Sequence, residues 1–183
     1  MEREKLIALL TEGNRRYLAG EAFGDVSAAV RLETAEHGQH PAAIVIACSD
    51  SRVIPEAIFS AGIGELFVIR VAGNVLDNHQ LGSIEYAAAH LHCPLILVLG
   101  HTGCGAVGAA LSGGGEGYIQ YVTDEILRAV GQERDPDRAC CLNVAHAVAS
   151  IRAAFCEHPE IPSENLTICG AVYDIRTGEV RWL

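Results

Sequence analysis

The sequence is poor in aromatic and in basic residues. Only 5% of its 183 residues are Phe, Trp or Tyr, so the core must be built mainly from Ala, Val, Ile and Leu. Thirteen Lys and Arg stand against 23 Asp and Glu, which gives a formal net charge of −10. A protein that binds nucleic acid or an anionic membrane through general electrostatics carries the opposite charge. We therefore expect neither partner.

Long apolar runs are also missing. The longest, at 42–48 and 94–99, are too short to span a bilayer, and residues 1–5 lack the apolar core of a signal peptide. The seven cysteines are odd in number and do not suggest the disulfide framework of a small secreted protein. We expect a cytoplasmic protein whose cysteines are metal ligands, catalytic thiols or small buried residues.

Short apolar runs alternate with helical stretches along the chain. Four runs rich in β-branched residues lie at 43–47, 66–69, 95–99 and 166–169. Such runs are typical of strands that are buried on both faces of a parallel sheet. Helical patterns occupy 2–19, 54–61, 81–92, 104–111, 119–131 and 142–157, whereas residues 20–40 are mixed and polar.

The alternation predicts one α/β domain over residues 1–183. Its mostly parallel sheet has about four strands, and helices cover both faces. The tail from Val172 to Trp182, with a turn at Gly178, predicts a hairpin that adds an antiparallel edge strand. Residues up to about position 35 form an N-terminal helical arm in this interpretation.

Reactive residues follow two of the predicted strands. The segment Cys48–Arg52 leaves the first strand, and His101–Cys104 leaves the third. Functional sites in parallel sheets lie beyond the carboxyl ends of the strands, so adjacent strands would bring Cys48, His101 and Cys104 together. Two thiolates and one imidazole are ligands that zinc prefers, and three protein ligands with an open fourth position are typical of a catalytic zinc site.

Asp50 and Arg52 place two charges directly after a buried strand, where charges need partners. One interpretation is an ordinary ion pair that caps the next helix. In a second, Arg52 fixes Asp50, which accepts a hydrogen bond from zinc-bound water. In a third, Asp50 is the fourth zinc ligand and closes the open position.

The pair of motifs Cys-Ser-Asp-Ser-Arg and Gly-His-Thr-Gly-Cys-Gly strongly resembles the β-class carbonic anhydrases. Further matching stretches extend the resemblance over nearly the whole chain, at 10–20, 53–56, 67–70, 72–74, 83–86 and 170–174. The resemblance implies that Cys48, His101 and Cys104 bind one Zn²⁺ per chain, with Asp50 and Arg52 as the catalytic dyad. The implied enzyme is a carbonate dehydratase, in which zinc-bound hydroxide attacks carbon dioxide and yields bicarbonate and a proton.

The resemblance also implies a substrate site and a subclass. Gln39 matches a glutamine that donates a hydrogen bond to substrate in the plant-type subclass. Val45 stands where the bicarbonate-regulated subclass has a tryptophan, which favours the plant-like subclass. The positions that match the small apolar pocket are Phe67, Ala72, Tyr86 and Gly105.

Three further expectations concern proton transfer, the turn at 72–74 and assembly. His90 lies four residues after Tyr86 on one helical face, and a histidine there is a candidate proton relay. The family usually has Arg-Asn before the turn, whereas Val71 follows Arg70 here, so a polar side chain that could brace the turn is lost. The resemblance implies a homodimer as the minimal unit, with Gln39 reaching across; a tetramer is equally compatible with the sequence.

Three alternatives remain open from the sequence. Residues Gly103–Gly108 spell the dinucleotide-binding pattern G-x-G-x-x-G, but the acids about 20 residues on, Asp124 and Glu125, fall in a helical stretch rather than at a strand end. The same fold and zinc ligands also suit hydrolysis of COS or CS₂, which are linear and uncharged. The third alternative is a non-catalytic zinc protein, against which the intact Asp50–Arg52 pair argues.

Overall fold

A computed structural model describes residues 3–21, 23–156 and 166–183, and the following elements lie within them. The helices are α1 Arg3–Leu18, α2 Ala28–His37, α3 Pro55–Ile58, α4 Asn78–Ala89, α5 Gly105–Leu111, α6 Ile119–Val130 and α7 Pro136–Cys156. The strands are β1 Ala43–Ala47, β2 Leu66–Arg70, β3 Leu95–His101, β4 Thr167–Tyr173 and β5 Val180–Trp182. A short 3₁₀ helix, Ala72–Asn74, follows β2.

The strands form one five-stranded sheet in the order β2-β1-β3-β4-β5. The first four are parallel, and β5 pairs antiparallel with β4, so the predicted sheet and its C-terminal hairpin are confirmed. β1 lies between β2 and β3, and Ala47 pairs with both Arg70 and Leu99. The carboxyl ends of β1 and β3 therefore meet at one edge of the sheet.

Helices cover both faces of the sheet, as the alternation of strands and helices predicts. Ile44 and Ile46 of β1 pack with residues of α4 and α7 on one face. Val45, between them, packs with residues of α1 and α3 on the other face. This alternation follows from the two-residue period of a strand, and it explains why β1 is apolar at every position.

The predicted N-terminal arm begins with a helix that belongs to the core of its own chain. Leu6 and Leu10 of α1 are buried against the sheet. The buried Asn14 donates to the carbonyls of Ile58 and Gly178 at 3.2 and 2.9 Å. Asn14 thus ties α1 to α3 and to the C-terminal hairpin.

Four helices differ from their sequence-based expectations. α4 spans Asn78–Ala89 rather than 81–92, because Asp77 caps its first turn. α2, at Ala28–His37, lies in the mixed and polar stretch, for which no helix bounds are predicted within the helical arm; Ser27 caps it, and none of its residues is buried. Without a buried face, α2 has no apolar periodicity that reveals it. α7 begins at Pro136 rather than at 142, because the Asp135 carboxylate accepts the Arg138 N–H at 2.9 Å and caps the first turn. α3 is a single short turn at Pro55–Ile58 rather than 54–61.

α7 alone among the described helices is long and apolar enough to cross a membrane by length and composition. Its buried residues, among them Val144, Ile151 and Phe155, lie in the same apolar cluster as β1 and β3. A central core helix has this composition, and the face that carries these residues is covered by the sheet.

The crossing of α1 over α3 generates a stability prediction. A Cβ at Gly13 would lie 2.0 Å from the Phe59 carbonyl oxygen, which is backbone and cannot yield by rotating a side chain. We expect Gly13→Ala to lower the free energy of unfolding by about 1–3 kcal/mol or more, since overpacking costs that much. Denaturant titration measures the change.

Gly82 of α4 provides the matched control. It lies inside a helix, and a Cβ there meets nothing within 4 Å. Gly82→Ala is therefore expected to raise the free energy of unfolding by about 0.5–1 kcal/mol. Equal effects of the two substitutions would contradict the described α1–α3 contact.

Candidate metal centre

Three potential ligands meet where β1 and β3 end. Cys48 directly follows β1, His101 is the last residue of β3, and Cys104 lies three residues further. All three are buried, and their ligand atoms lie within 4.8 Å of one another. The two sulfur atoms are 4.0 Å apart. The strand pairing thus brings together the three residues predicted as ligands.

His101 presents one ring nitrogen to this cluster. Its Nδ1 lies 3.0 Å from the Thr102 carbonyl oxygen, which fixes the ring orientation and makes Nδ1 the protonated nitrogen. Its Nε2 is buried and has no hydrogen-bond partner of ordinary geometry among the described residues. A buried nitrogen without a partner is costly, and a metal ion would satisfy it. The donor set of two sulfurs and one imidazole nitrogen fits a zinc ion.

The surroundings of the Cys48 sulfur favour its thiolate form. The Cys48 sulfur interacts with the Cys104 thiol. It also accepts hydrogen bonds from the backbone N–H groups of Asp50 at 3.4 Å and Gly73 at 3.3 Å. Hydrogen bonding by Cys104, helped by His101 and these two N–H groups, lowers the pKa of Cys48 to about 4. The Cys48 thiolate and burial raise the pKa of Cys104, which keeps its proton until a cation displaces it.

Asp50 and Arg52 form a two-point ion pair beside the cluster. Arg52 Nε donates to Asp50 Oδ1 at 2.9 Å, and Nη2 donates to Oδ2 at 2.7 Å. These bonds, above all, hold the pKa of Asp50 well below its usual range. Asp50 Oδ2 lies 3.9 Å from His101 Nε2, so an ionised carboxylate flanks the ligands.

The turn at 72–74 is braced, although its expected polar brace is absent at Val71. Gly73 has φ +67°, a left-handed backbone conformation that favours glycine, and a Cβ there would lie 2.8 Å from Ile126 Cδ1. The buried Asn143 of α7 donates to the Gly73 carbonyl at 2.8 Å and replaces the brace. Asn143 was missed from the sequence; a single Asn in an apolar helical stretch is its only signal.

Arg70 is a second contributor to the site that sequence reasoning missed. Its guanidinium donates to the carbonyl oxygens of Cys48 and Asp50 at 3.1 and 2.7 Å. These bonds run from the end of β2 to the loop that follows β1. Contacts with backbone carbonyls carry no motif, so no spacing in the sequence indicates them.

The residues predicted to line the substrate pocket fall into two groups. Ala72 and Gly105 adjoin Gly73 and Cys104, next to the cluster. Phe67 pairs with Ile44, which lies four residues before Cys48. Four residues of extended chain span about 13 Å, so Phe67 lies at a distance from the cluster. Phe67 and Tyr86 lie together, with ring centroids 6.3 Å apart. Their assignment to one pocket remains a prediction.

Gln39 and His90 lie toward the amino ends of the strands, opposite the carboxyl ends where the ligands lie. Gln39 is exposed and precedes β1, whereas the ligands follow the carboxyl ends of β1 and β3. His90 caps the C-terminus of α4, ahead of β3, with its ring centroid 5.4 Å from that of Tyr86. The chain does not bring either residue to its own cluster, and their predicted roles remain predictions.

The dinucleotide-binding alternative lacks the acidic residue that its pattern needs at the end of a strand. Gly103–Gly108 does join β3 to α5, but Cys104 within it belongs to the metal cluster. Asp124 and Glu125 lie inside α6 and not at the end of a strand, where the fingerprint needs an acid for the ribose. The pattern is therefore incidental.

Comparison with known proteins places the chain among the carbonic anhydrases. The family model described as carbonic anhydrase matches residues 43–180. A carbonic anhydrase of Mycolicibacterium smegmatis is 47% identical over 121 residues, which cover 65% of this chain and 59% of that protein. The chain thus spans under two thirds of the length of this relative.

Two solved structures share the fold. The β-carbonic anhydrase CafA of Aspergillus fumigatus superposes with a TM-score of 0.77 at 29% identity, covering 85% of this chain and 81% of that one. A structure of the tetrameric β-carbonic anhydrases of Sordaria macrospora superposes with a TM-score of 0.62 at 28% identity, covering 85% and 91%. The sequence match, the fold and the buried Cys-His-Cys cluster agree, and the chain belongs to the β-carbonic anhydrase family.

Proposed function

We propose that this chain is a zinc-dependent carbonic anhydrase that interconverts carbon dioxide with bicarbonate and a proton. The observation that carries the proposal is the group of three buried ligand atoms within 4.8 Å of one another, with the Asp50 carboxylate beside it. Membership of the β-carbonic anhydrase family supports the same activity.

Cys48, His101 and Cys104 would hold the metal through two sulfurs and His101 Nε2. Three protein ligands leave a fourth coordination position open, as in catalytic zinc sites. A zinc ion bound there supplies activated water near neutral pH. The Nδ1 bond of His101 to the Thr102 carbonyl would leave Nε2 available as the ligand atom of a metal ion.

Asp50 acts in this mechanism as a hydrogen-bond acceptor and not as a ligand. Both of its oxygens are engaged by the Arg52 guanidinium, which keeps the carboxylate ionised and fixes its orientation. An ionised acceptor beside the cluster takes the hydrogen bond of the attacking water, so that a lone pair of the water points toward the carbon of the substrate. Arg52 is itself anchored by the Gly103 carbonyl at 3.3 Å.

The substrate side of the site is proposed to be completed by a second copy of the chain. Gln39 is exposed in its own chain, and we propose that it reaches the partner's site and stabilises the developing negative oxygen. Phe67 lies on β2, Tyr86 lies on α4, and His90, the proposed proton relay, lies at the end of α4. Because β2 is an edge strand of the sheet, it is available for such an interface. The tetrameric Sordaria macrospora relatives support a homo-oligomer, with a dimer as the minimal unit.

Two finer assignments belong to the same proposal. Val45 is fully buried in β1. The bicarbonate-regulated subclass has a tryptophan at the matching position, so the plant-like subclass is favoured. We propose a cytoplasmic location, because the odd number of cysteines does not suggest the disulfide framework of a small secreted protein.

Stopped-flow measurement of carbon dioxide hydration tests the activity. Zinc-loaded protein is expected to hydrate carbon dioxide rapidly, with a rate that rises from pH 6 to pH 9. Two thiolates offset the charge of the ion and make it a weaker activator of water than one held by three histidines. Removal of the metal by a chelator abolishes the rate. A flat pH profile would contradict this mechanism, and negligible hydration by protein with bound zinc would redirect the assignment to COS or CS₂ hydrolysis.

Arg52→Lys tests the geometric role of the dyad. Lysine keeps the positive charge but cannot bind both carboxylate oxygens in a planar fork. We expect kcat to fall about 10- to 100-fold with bound zinc retained, as for other residues that orient a metal site. Arg128→Lys is the control, since exposed Arg128 also pairs with a carboxylate, that of Glu125, away from the cluster. Wild-type kcat in Arg52→Lys would show that charge alone suffices.

A further inference from the structure

We propose that Arg70 and Asn143 are positioning residues of the metal centre, which fix the two backbone N–H groups that donate to the Cys48 sulfur. The proposal rests on the zinc site of the proposed function and states how this chain adjusts one of its sulfur ligands. Each residue acts through backbone rather than through a ligand side chain.

Arg70 sets the shape of the loop after β1. Its planar guanidinium donates to the carbonyls of both Cys48 and Asp50, at 3.1 and 2.7 Å. A rigid fork that binds two carbonyls fixes their relative positions. The Asp50 N–H lies between these two carbonyls along the chain and points to the Cys48 sulfur at 3.4 Å. Arg70 is itself held in place at the end of β2, where it pairs with Ala47.

Asn143 sets the position of the second donor. The Gly73 N–H points to the Cys48 sulfur at 3.3 Å, and the Gly73 carbonyl accepts the Asn143 side-chain amide at 2.8 Å. Asn143 is 3% exposed, so its amide has no access to bulk water as a substitute partner. The bond therefore ties the turn to α7 at Gly73, the residue of the turn whose N–H reaches the sulfur.

The two N–H bonds have a chemical consequence for a bound metal. Each N–H draws negative charge from the thiolate, and the sulfur then donates less charge to the ion. An ion with two thiolate ligands is otherwise a weak activator of water, because the thiolates offset its charge. Arg70 and Asn143 preserve part of that activating power and stabilise the thiolate that receives the metal.

Cobalt(II) is the probe, because its sulfur-to-metal charge-transfer absorption reports the charge on the thiolates without any turnover. In Arg70→Gln we expect this band to move to longer wavelength and the cobalt affinity to fall about tenfold, the lower end of the usual effect of such residues. Arg70→Lys is expected to behave like Arg70→Gln, since one ammonium cannot hold both carbonyls. Asn143→Asp, which cannot donate, is expected to shift the band in the same direction.

Arg152→Gln is the matched control. Arg152 also donates to a backbone carbonyl, that of Ile168 at 2.9 Å, but on β4. The charge-transfer band and the cobalt affinity of Arg152→Gln are expected to equal those of the wild type. Arg70 is exposed, so its variants decide the question even if buried Asn143→Asp does not fold.

The outcomes separate this proposal from the proposed function. Wild-type absorption and affinity in both Arg70 variants would overturn the positioning role while leaving the metal site intact. Recovery of both by Arg70→Lys alone would overturn it as well, because charge rather than geometry would then be responsible. Wild-type protein that binds no cobalt would overturn the metal site itself, and the positioning role with it.

Discussion

The parallel pairing of β1 with β3 is the constraint on which the metal centre depends. Ala47 lies opposite Leu99, which brings the residue after β1 beside the last residues of β3. Because side chains alternate between faces, a slip of one residue would turn Cys48 or His101 to the wrong side of the sheet. The apolar residues of both strands, which alternate between two buried faces, hold this register.

Burial then determines the electrostatics of the cluster. Cys48, His101 and Cys104 lie in the interior, where an isolated charge is costly. The Cys48 thiolate is compensated by the Cys104 thiol and by backbone N–H groups, and the Asp50 carboxylate by Arg52. Two buried sulfurs with such partners suit a divalent cation that prefers sulfur ligands, and binding of a metal to thiols releases protons.

Supports for this arrangement come from elements distant in sequence. Arg70 reaches the loop from β2, and Asn143 reaches the turn from α7. Gly73 permits the turn to approach both Cys48 and α6. The sheet therefore supplies the position of the ligands, and its neighbours supply their orientation.

The sequence predicted the sheet and the ligand set for physical reasons that are local. Buried parallel strands leave short β-branched runs, and reactive residues that follow such runs share one edge of the sheet. The bounds of α2 escaped prediction because it buries no residue in its own chain. Arg70 and Asn143 escaped because their partners are backbone carbonyls, which no residue pattern identifies. Gln39 and His90 lie away from the cluster of their own chain, so their predicted roles rest on the proposed second copy of the chain.

X-ray absorption at the zinc edge of the zinc-loaded protein tests directly whether Cys48, Cys104 and His101 bind the metal. We expect one zinc per chain with two sulfur ligands, one imidazole nitrogen and one further light atom. A first shell without sulfur, or with three or four sulfurs, would contradict the assignment of these residues as the metal site.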